Sequence, residues 1–368
     1  MDKGKISLKQ FAILTCFMVV GDSILVMPGL LLASSKQDSW LAMALGMLLA
    51  VPFLLLFFYA YKVDPELSLV QNLMKKLGRW VGGAISLLFL THPLFVGVAI
   101  VKEIGDFMNT HIMPETPNMA ILGLFLVIVV MSVSGGLEAF ARAGEILFIC
   151  FMLVFILFSM ALLPQMNLHM LEPVMEKGFA PVFSGTMISL TYCFVELIGL
   201  LMIMPRVARK EPKDVARSFF YGALIGGIII LVVIVLCVAV LGTNITERHI
   251  YPTFTLAKRI NVGDFIERVE AFLAFMWIIS SFFKLTVNLF ALQIGLSQLF
   301  GLKDYRSFSV PVGLVLLLLS VTFAPNIVYY NNIIVEGWPY YDLSIALVPA
   351  LLLAFYAFRR KGGEPKLQ

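Results

Sequence analysis

The chain has 368 residues, of which 60% are hydrophobic and 14% charged, with a net charge of +4 and a mean hydropathy of +0.94. Charged residues make up about a quarter of an ordinary soluble domain, so this composition excludes a soluble globule and defines a polytopic membrane protein. The mild positive charge sits in loops and points to no nucleic acid; its use is to orient the chain.

Apolar runs of about twenty residues, the length that crosses a hydrocarbon core roughly 30 Å thick, fall near 8–33, 40–61, 81–107, 118–134 and 143–163, then near 181–204, 218–242, 265–297, 310–329 and 339–358. The first follows a short basic lead with no small-residue cleavage pattern, which predicts a retained span and not a signal peptide. Ten spans return both termini to one side. With the N-terminus inside, the inner segments hold nineteen lysines and arginines and the outer loops five, Lys36, Lys177, Arg248, Lys258 and Arg259. Both termini are therefore expected to be cytoplasmic. Division after the fifth span gives two halves of opposite orientation, residues 1–165 and 166–368, within one integral membrane domain. That predicts an all-α fold with a five-plus-five inverted repeat.

The first span is interrupted at Gly21-Asp22-Ser23-Ile24-Leu25-Val26-Met27-Pro28-Gly29. Gly21 supplies backbone freedom, Asp22 a charge, and Pro28 removes a donor and disturbs the helix one turn earlier. Freed N–H groups there suit a ligand carboxylate, and Asp22 suits a ligand ammonium or a proton. The competing reading is a proline kink whose aspartate reaches the outer interface. In the third span Thr91-His92-Pro93 marks a kink with one titratable ring, and Lys102 and Asp106 form an i,i+4 pair near the outer end. Glu138, Arg142 and Glu145 read as an inner-loop charge cluster.

The sixth span repeats the pattern of the first: Glu196 lies twelve residues in, followed by Gly199 and Pro205. That depth is too great for a short side chain to snorkel, so Glu196 is either a functional acid or a packing partner of a neighbouring helix. Tyr192 and Gly199 share its face if the turn is helical. Interrupted spans at matching places in two halves point to a small-molecule site at the repeat interface. In the loop from Gly242 to Gly263, Tyr251-Pro252-Thr253 and the helix-like stretch after it suit a partial outer cover. The loops 164–180 and 325–338 are long enough to hold structure.

The eighth span carries a polar stripe of Glu270, Trp277, Ser280, Ser281, Lys284 and Asn288, expected to face the bundle. Lys284 either takes the place of a coupling cation, neutralises Asp22 or Glu196, or snorkels to the cytoplasmic surface. Glu267, Arg268 and Glu270 read as an interfacial cluster at the start of this span. Each of the four cysteines, Cys16, Cys150, Cys193 and Cys237, lies inside an apolar run, which argues against disulfides and against a thiolate metal site. No phosphate loop, HExxH helix or nucleophile elbow occurs, so neither an enzyme nor a cofactor is expected.

The run Gly21–Pro28 resembles the Gly-Ser-Gly-Ile-Phe-x-x-Pro segment of the amino acid–polyamine–organocation transporters. The whole chain resembles the spore permease family, the B subunits of nutrient germinant receptors. The resemblance rests on Ile6-Ser7 with Gln10, and on Glu196 followed by Leu200-Leu201-Met202-Ile203-Met204-Pro205. It continues through Tyr251-Pro252-Thr253, then Arg268, Glu270, Trp277 and Lys284 leading to Leu296-Ser297-Gln298-Leu299-Phe300, and Asp304-Tyr305-Arg306. It implies a LeuT-like bundle, a small nutrient such as an amino acid between the broken first and sixth helices, and assembly with an A subunit and a lipoprotein C subunit in the spore inner membrane. It also implies sensing in place of bulk uptake. Two departures, Asp22 for a small or hydroxyl residue and Ser23 for the second glycine, recharge or narrow the carboxylate cradle. The candidate ligand contacts are Gly21, Asp22, Ser23, Ile24, Tyr192, Val195, Glu196, Ser280 and Ser281, with Lys284, His92 and Trp277 for coupling or gating. A proton-coupled amino acid transporter is the alternative function, since Asp22, Glu196 or Lys284 could each carry the proton; a scaffold for partner subunits is a third.

Overall fold

The computed structural model describes residues 4–209, 211–260, 269–324 and 327–363. Glu267 and Arg268 of the expected interfacial cluster lie outside the described residues. Among the described residues the chain is helical, and its only β-type pairing is a parallel bridge between Ile6 and Val207. The helices are α1 (Leu8–Val20), α2 (Ser23–Ser35), α3 (Ser39–Tyr61), α4 (Leu69–Phe107), α5 (Asn118–Gly135), α6 (Leu137–Leu162), α7 (Phe179–Phe194), α8 (Pro212–Leu236), α9 (Thr243–Arg248), α10 (Pro252–Ala257), α11 (Val269–Phe300), α12 (Ser309–Thr322), α13 (Ile327–Asn332) and α14 (Trp338–Gly363).

Nine helical stretches are long and apolar enough to cross a membrane, among the described residues. One of them, Ser23–Tyr61, joins the second half of the first span to the second span, and the shorter Leu8–Val20 supplies the first half, so the chain makes ten passes. Burial sorts them. The sixth span is 94% buried over its apolar window and the eighth 78%, against 22% for Leu137–Gln165. The outer helices present Leu124, Met131, Ile146, Ile149 and Leu153 outward, as lipid-facing surfaces do. The sixth and eighth spans therefore form the centre of the bundle, together with the two halves of the first, α1 and α2, whose residues are mostly buried.

Local chemistry sets several boundaries. Ser7 caps α1 through a reciprocal box, its Oγ accepting from the Gln10 N–H at 3.1 Å while Gln10 Oε1 accepts from the Ser7 N–H at 2.9 Å. Ser68 and Gln71 do the same for α4. Gly78 inside α4 takes φ +80°, a conformation open to glycine, and separates a short leading helix from the third span. At Gly222 of α8 an added Cβ would lie 2.3 Å from the Ala12 carbonyl oxygen, which fixes how closely α8 approaches α1.

Three expectations change in detail. Pro28 does not interrupt the first span; it lies inside α2, and the break falls at Gly21-Asp22. The sixth span does not unwind but tightens after Phe194 into a 3-10 helix, Val195–Met202, longer than the three or four residues at which such runs usually stop. Glu138, Arg142 and Glu145 lie on α6, not in a loop. Glu145 pairs with Lys9 at 2.6 Å, tying α6 to the start of α1.

Both faces of the bundle are closed. On the face that carries the N-terminus, the Ile6 N–H donates to Arg206 O at 3.1 Å and the Ala208 N–H to Ile6 O at 2.8 Å, zipping the segment before the first span to the segment after the sixth. Arg209 reinforces this seam by donating to Glu66 at 2.5 Å and to Pro65 O at 3.0 Å. On the opposite face Phe107 is packed by Tyr251, Phe254 and Trp277 with ring centroids 5.2, 5.1 and 4.8 Å away. The Tyr251-Pro252-Thr253 segment and α10 form the cover that the sequence suggested.

Candidate functional site

The break at Gly21-Asp22 and the 3-10 segment of the sixth span meet α11 around one lysine. Lys284 Nζ lies 2.7 Å from Asp22 Oδ1 and 2.7 Å from Glu196 Oε2, and 5.0 Å from the centroid of the Tyr192 ring. None of the three charges reaches solvent: Lys284 is 0%, Glu196 1% and Asp22 2% exposed. An unpaired charge buried this deeply costs several kcal/mol, so the three groups hold one another in place. This removes the reading of Lys284 as a snorkelling side chain and of Asp22 as an interfacial one.

Glycine makes the bridge possible. A Cβ on Gly21 would sit 2.3 Å from Lys284 Cδ and 2.9 Å from its Cβ, so the lysine stem crosses the first span where that span has no side chain. The backbone groups freed by the break are answered from within the protein. Ser280 Oγ donates to Gly21 O at 2.8 Å. Pro28 has no N–H for Ile24 O, and Thr253 Oγ1 donates there at 2.9 Å.

Hydrogen bonds extend outward from Asp22 through two tyrosines and a buried glutamate. Tyr192 Oη lies 2.9 Å from Asp22 Oδ2 and 2.8 Å from Glu103 Oε1, and Tyr330 Oη lies 2.7 Å from the same Glu103 oxygen. Toward α14, Trp338 Nε1 donates to Glu196 Oε1 at 3.1 Å. His92 does not touch the lysine bridge; its Nε2 is 2.6 Å from Asp342 Oδ1, both side chains fully buried.

The expected residues are thus distributed as follows. Gly21, Asp22, Tyr192, Glu196, Ser280 and Lys284 converge. Ser23 meets Cys193 Sγ at 3.8 Å, while Ile24 and Val195 are buried apolar packing beside the breaks. Trp277 and Ser281 are buried, and neither Trp277 Nε1 nor Ser281 Oγ has a hydrogen-bond partner among the described residues. Glu270 stays half-buried at the start of α11. Clefts of about 330 and 400 Å³ lie on the apolar flanks, against Leu153, Leu157 and Phe272 in one case and Phe183, Met187 and Tyr340 in the other, and share no lining residue with the charged cluster.

Sequence reasoning missed Glu103, Tyr330, Trp338 and Asp342. The signal for Glu103 and Asp342 was available, since each is an acid within an apolar run. Glu103 was masked by its neighbours Lys102 and Asp106, which form the expected i,i+4 pair at 3.3 Å.

A bundle of ten passes, broken in its first and sixth spans around an enclosed polar site, is the architecture of a secondary-transporter-type permease. Solved structures bear out the fold. Mhp1, a nucleobase-cation-symport-1 family transporter in a closed conformation with bromovinylhydantoin bound, superposes with a TM-score of 0.68 over 97% of this chain and 93% of that one, at 14% identity. MhsT in complex with L-phenylalanine gives 0.66 over 97% of this chain and all of its own, also at 14% identity. Both share the LeuT-like fold.

The family follows from sequence. A family model described as "Spore germination protein" matches residues 5–328, and the chain belongs to that spore permease family. Spore germination protein KB of Bacillus subtilis (strain 168) is 28% identical over 365 residues, covering 97% of this chain and 95% of its own length. Spore germination protein YndE of the same organism is 23% identical, covering 98% of each. Spore germination protein XB of Bacillus anthracis is 25% identical over 268 residues, covering 73% of this chain and 74% of its own.

Proposed function

We propose that this chain is the nutrient-binding membrane subunit of a spore germinant receptor. In this reading it sits in the spore inner membrane with both termini cytoplasmic, residues 1–165 and 166–368 being its two inverted repeats, and it acts by binding, not catalysis. It works with an A subunit and a lipoprotein C subunit, which read its conformation.

The observation that carries this reading is the Lys284 bridge between Asp22 and Glu196. In transporters of this fold the broken helices coordinate an exchangeable coupling ion. Here a covalently tethered ammonium stands between them and cannot be carried across. A zwitterionic amino acid matches the exchange this site permits: its carboxylate for Lys284 and its ammonium for the carboxylate released. Gly21, Ser23, Ile24, Val195, Ser280 and Ser281 then frame the ligand at the breaks, Tyr192 closes over it, and Trp277 and His92 lie along the path of opening. A nutrient that binds one arrangement better than the other shifts the equilibrium between them, and partner subunits respond to that shift.

The test is a comparison of binding and uptake with the full chain in liposomes, across a panel of amino acids and sugars. The receptor reading predicts saturable binding of one nutrient with no gradient-driven accumulation. The transporter reading, favoured by the excess of Asp22, Glu103 and Glu196 over the one lysine, predicts uptake driven by an inward proton gradient and abolished in Glu196→Gln. Such uptake would replace the receptor assignment.

A further inference from the structure

Four oxygens form a chain through the interior: Asp22 Oδ2, Tyr192 Oη, Glu103 Oε1 and Tyr330 Oη, with successive separations of 2.9, 2.8 and 2.7 Å. Each of these three links is a hydrogen bond and needs its own proton. The two phenols supply one each. The third must sit on a carboxyl group, because ionised carboxylates only accept.

We infer that the closed protein holds one bound proton in this chain, lodged on Glu103. Of the two carboxyl groups in the chain, Asp22 has a cation against it, the Lys284 ammonium at 2.7 Å, and Glu103 has none among the described residues. Glu103 faces phenols: Tyr192 from α7, Tyr330 from α13, and Tyr251, which lies close enough to interact electrostatically. Asp22 and Lys284 act on it from farther off, and on its own helix Lys102 is engaged by Asp106 at 3.3 Å.

The remaining oxygen agrees with this assignment. Glu103 is 1% exposed and its Oε2 has no hydrogen-bond partner among the described residues. A bare oxygen in such a place is far less costly as the carbonyl of a neutral acid than as half of an unpaired carboxylate. The protons then order in one direction. Tyr330 donates to Glu103 Oε1, the acid proton on Oε1 goes to Tyr192 Oη, and Tyr192 donates to Asp22. With Glu103 neutral, the four groups Asp22, Lys284, Glu196 and Glu103 together carry a single excess negative charge in place of two.

Glu103 lies one turn along α4 from Phe107, the ring at the centre of the aromatic cover. Parting that cover admits water to Glu103, and the proton leaves to water as the carboxylate forms. Opening of this face and proton release are therefore linked, so alkaline conditions favour the open form.

Infrared spectroscopy of the full chain in lipid nanodiscs at neutral pH tests this without any nutrient. The wild type should show a deuterium-sensitive carboxylic-acid carbonyl band that is lost in Glu103→Gln and retained in Glu196→Gln. Glutamine matches the neutral acid in shape, so Glu103→Gln should fold and melt close to the wild type. If it does not fold, Tyr192→Phe serves: it removes two of the three links, and the band should shift without vanishing. Absence of the band from the wild type, its persistence in Glu103→Gln, or an unshifted band in Tyr192→Phe would each overturn the assignment.

Discussion

Gly21 and Lys284 are cut to fit one another: the lysine stem passes through the space that a Cβ at position 21 would fill, 2.3 Å from Lys284 Cδ. Because Lys284 Cβ is also within 2.9 Å, rotating the far end of the lysine does not clear the way. Gly21→Ala should destabilise the chain by about 1–3 kcal/mol, the usual cost of overpacking. Thermal unfolding of the purified protein checks the stability, and the nutrient response of the spores should weaken with it.

Removing the lysine has a different signature. Lys284→Met leaves Asp22 and Glu196 buried without a cation, and breaking a buried pair costs about 3–5 kcal/mol. Immunoblots of spore membranes should show reduced abundance. The triple variant Lys284→Met, Asp22→Asn, Glu196→Gln removes all three charges together and should regain abundance while failing to respond to nutrient.

Thr253 and Pro28 form a coupled pair at a distance of 225 positions in the chain. Thr253→Val strips the side-chain donor from Ile24 O and should cost about 1–3 kcal/mol, the penalty for an unsatisfied buried acceptor. Thr253→Ser should be nearly silent. Pro28→Ala restores an N–H to the helix and should lessen the cost of Thr253→Val, which a double-mutant cycle on melting temperatures measures.

Outside the spans, the Lys75 ammonium donates to Asp64 at 2.7 Å and lowers that carboxyl below its usual range. A depressed folded value adds stability above the unfolded value of about 3.9 and loses it as pH falls through the folded one. Since the pair is partly exposed, the effect is small. Asp64→Asn should lower the melting temperature slightly at neutral pH and leave the acid end, where the native pair is already lost, unchanged, so the profile flattens through the acid range.

How much of this was readable in the sequence depended on contrast. Asp22, Glu196 and Lys284 stand out because each charge interrupts an apolar run, and the structure gathers all three. Glu103 lacked contrast: beside Lys102 and three residues before Asp106 it resembles the wet end of a span. What encloses it is Tyr192 from α7 and Tyr330 from α13, long-range partners with no local pattern. The 3-10 winding of Val195–Met202 was equally hidden, since residues that favour an α-helix are held in a tighter one by tertiary packing. Pro28 showed its missing donor plainly but not its remedy, which came from Thr253.

In the proposed receptor the nutrient is recognised where Lys284 joins Asp22 to Glu196. This recognition is tested most directly by germination of spores carrying Glu196→Gln against a panel of amino acids and sugars, with protein level measured alongside. The substitution leaves Lys284 paired with Asp22 and an amide oxygen for Trp338, so the protein should accumulate normally. Recognition at this bridge predicts loss of response to one nutrient at unchanged abundance. Germination indistinguishable from that of the native protein, across the whole panel, would contradict it.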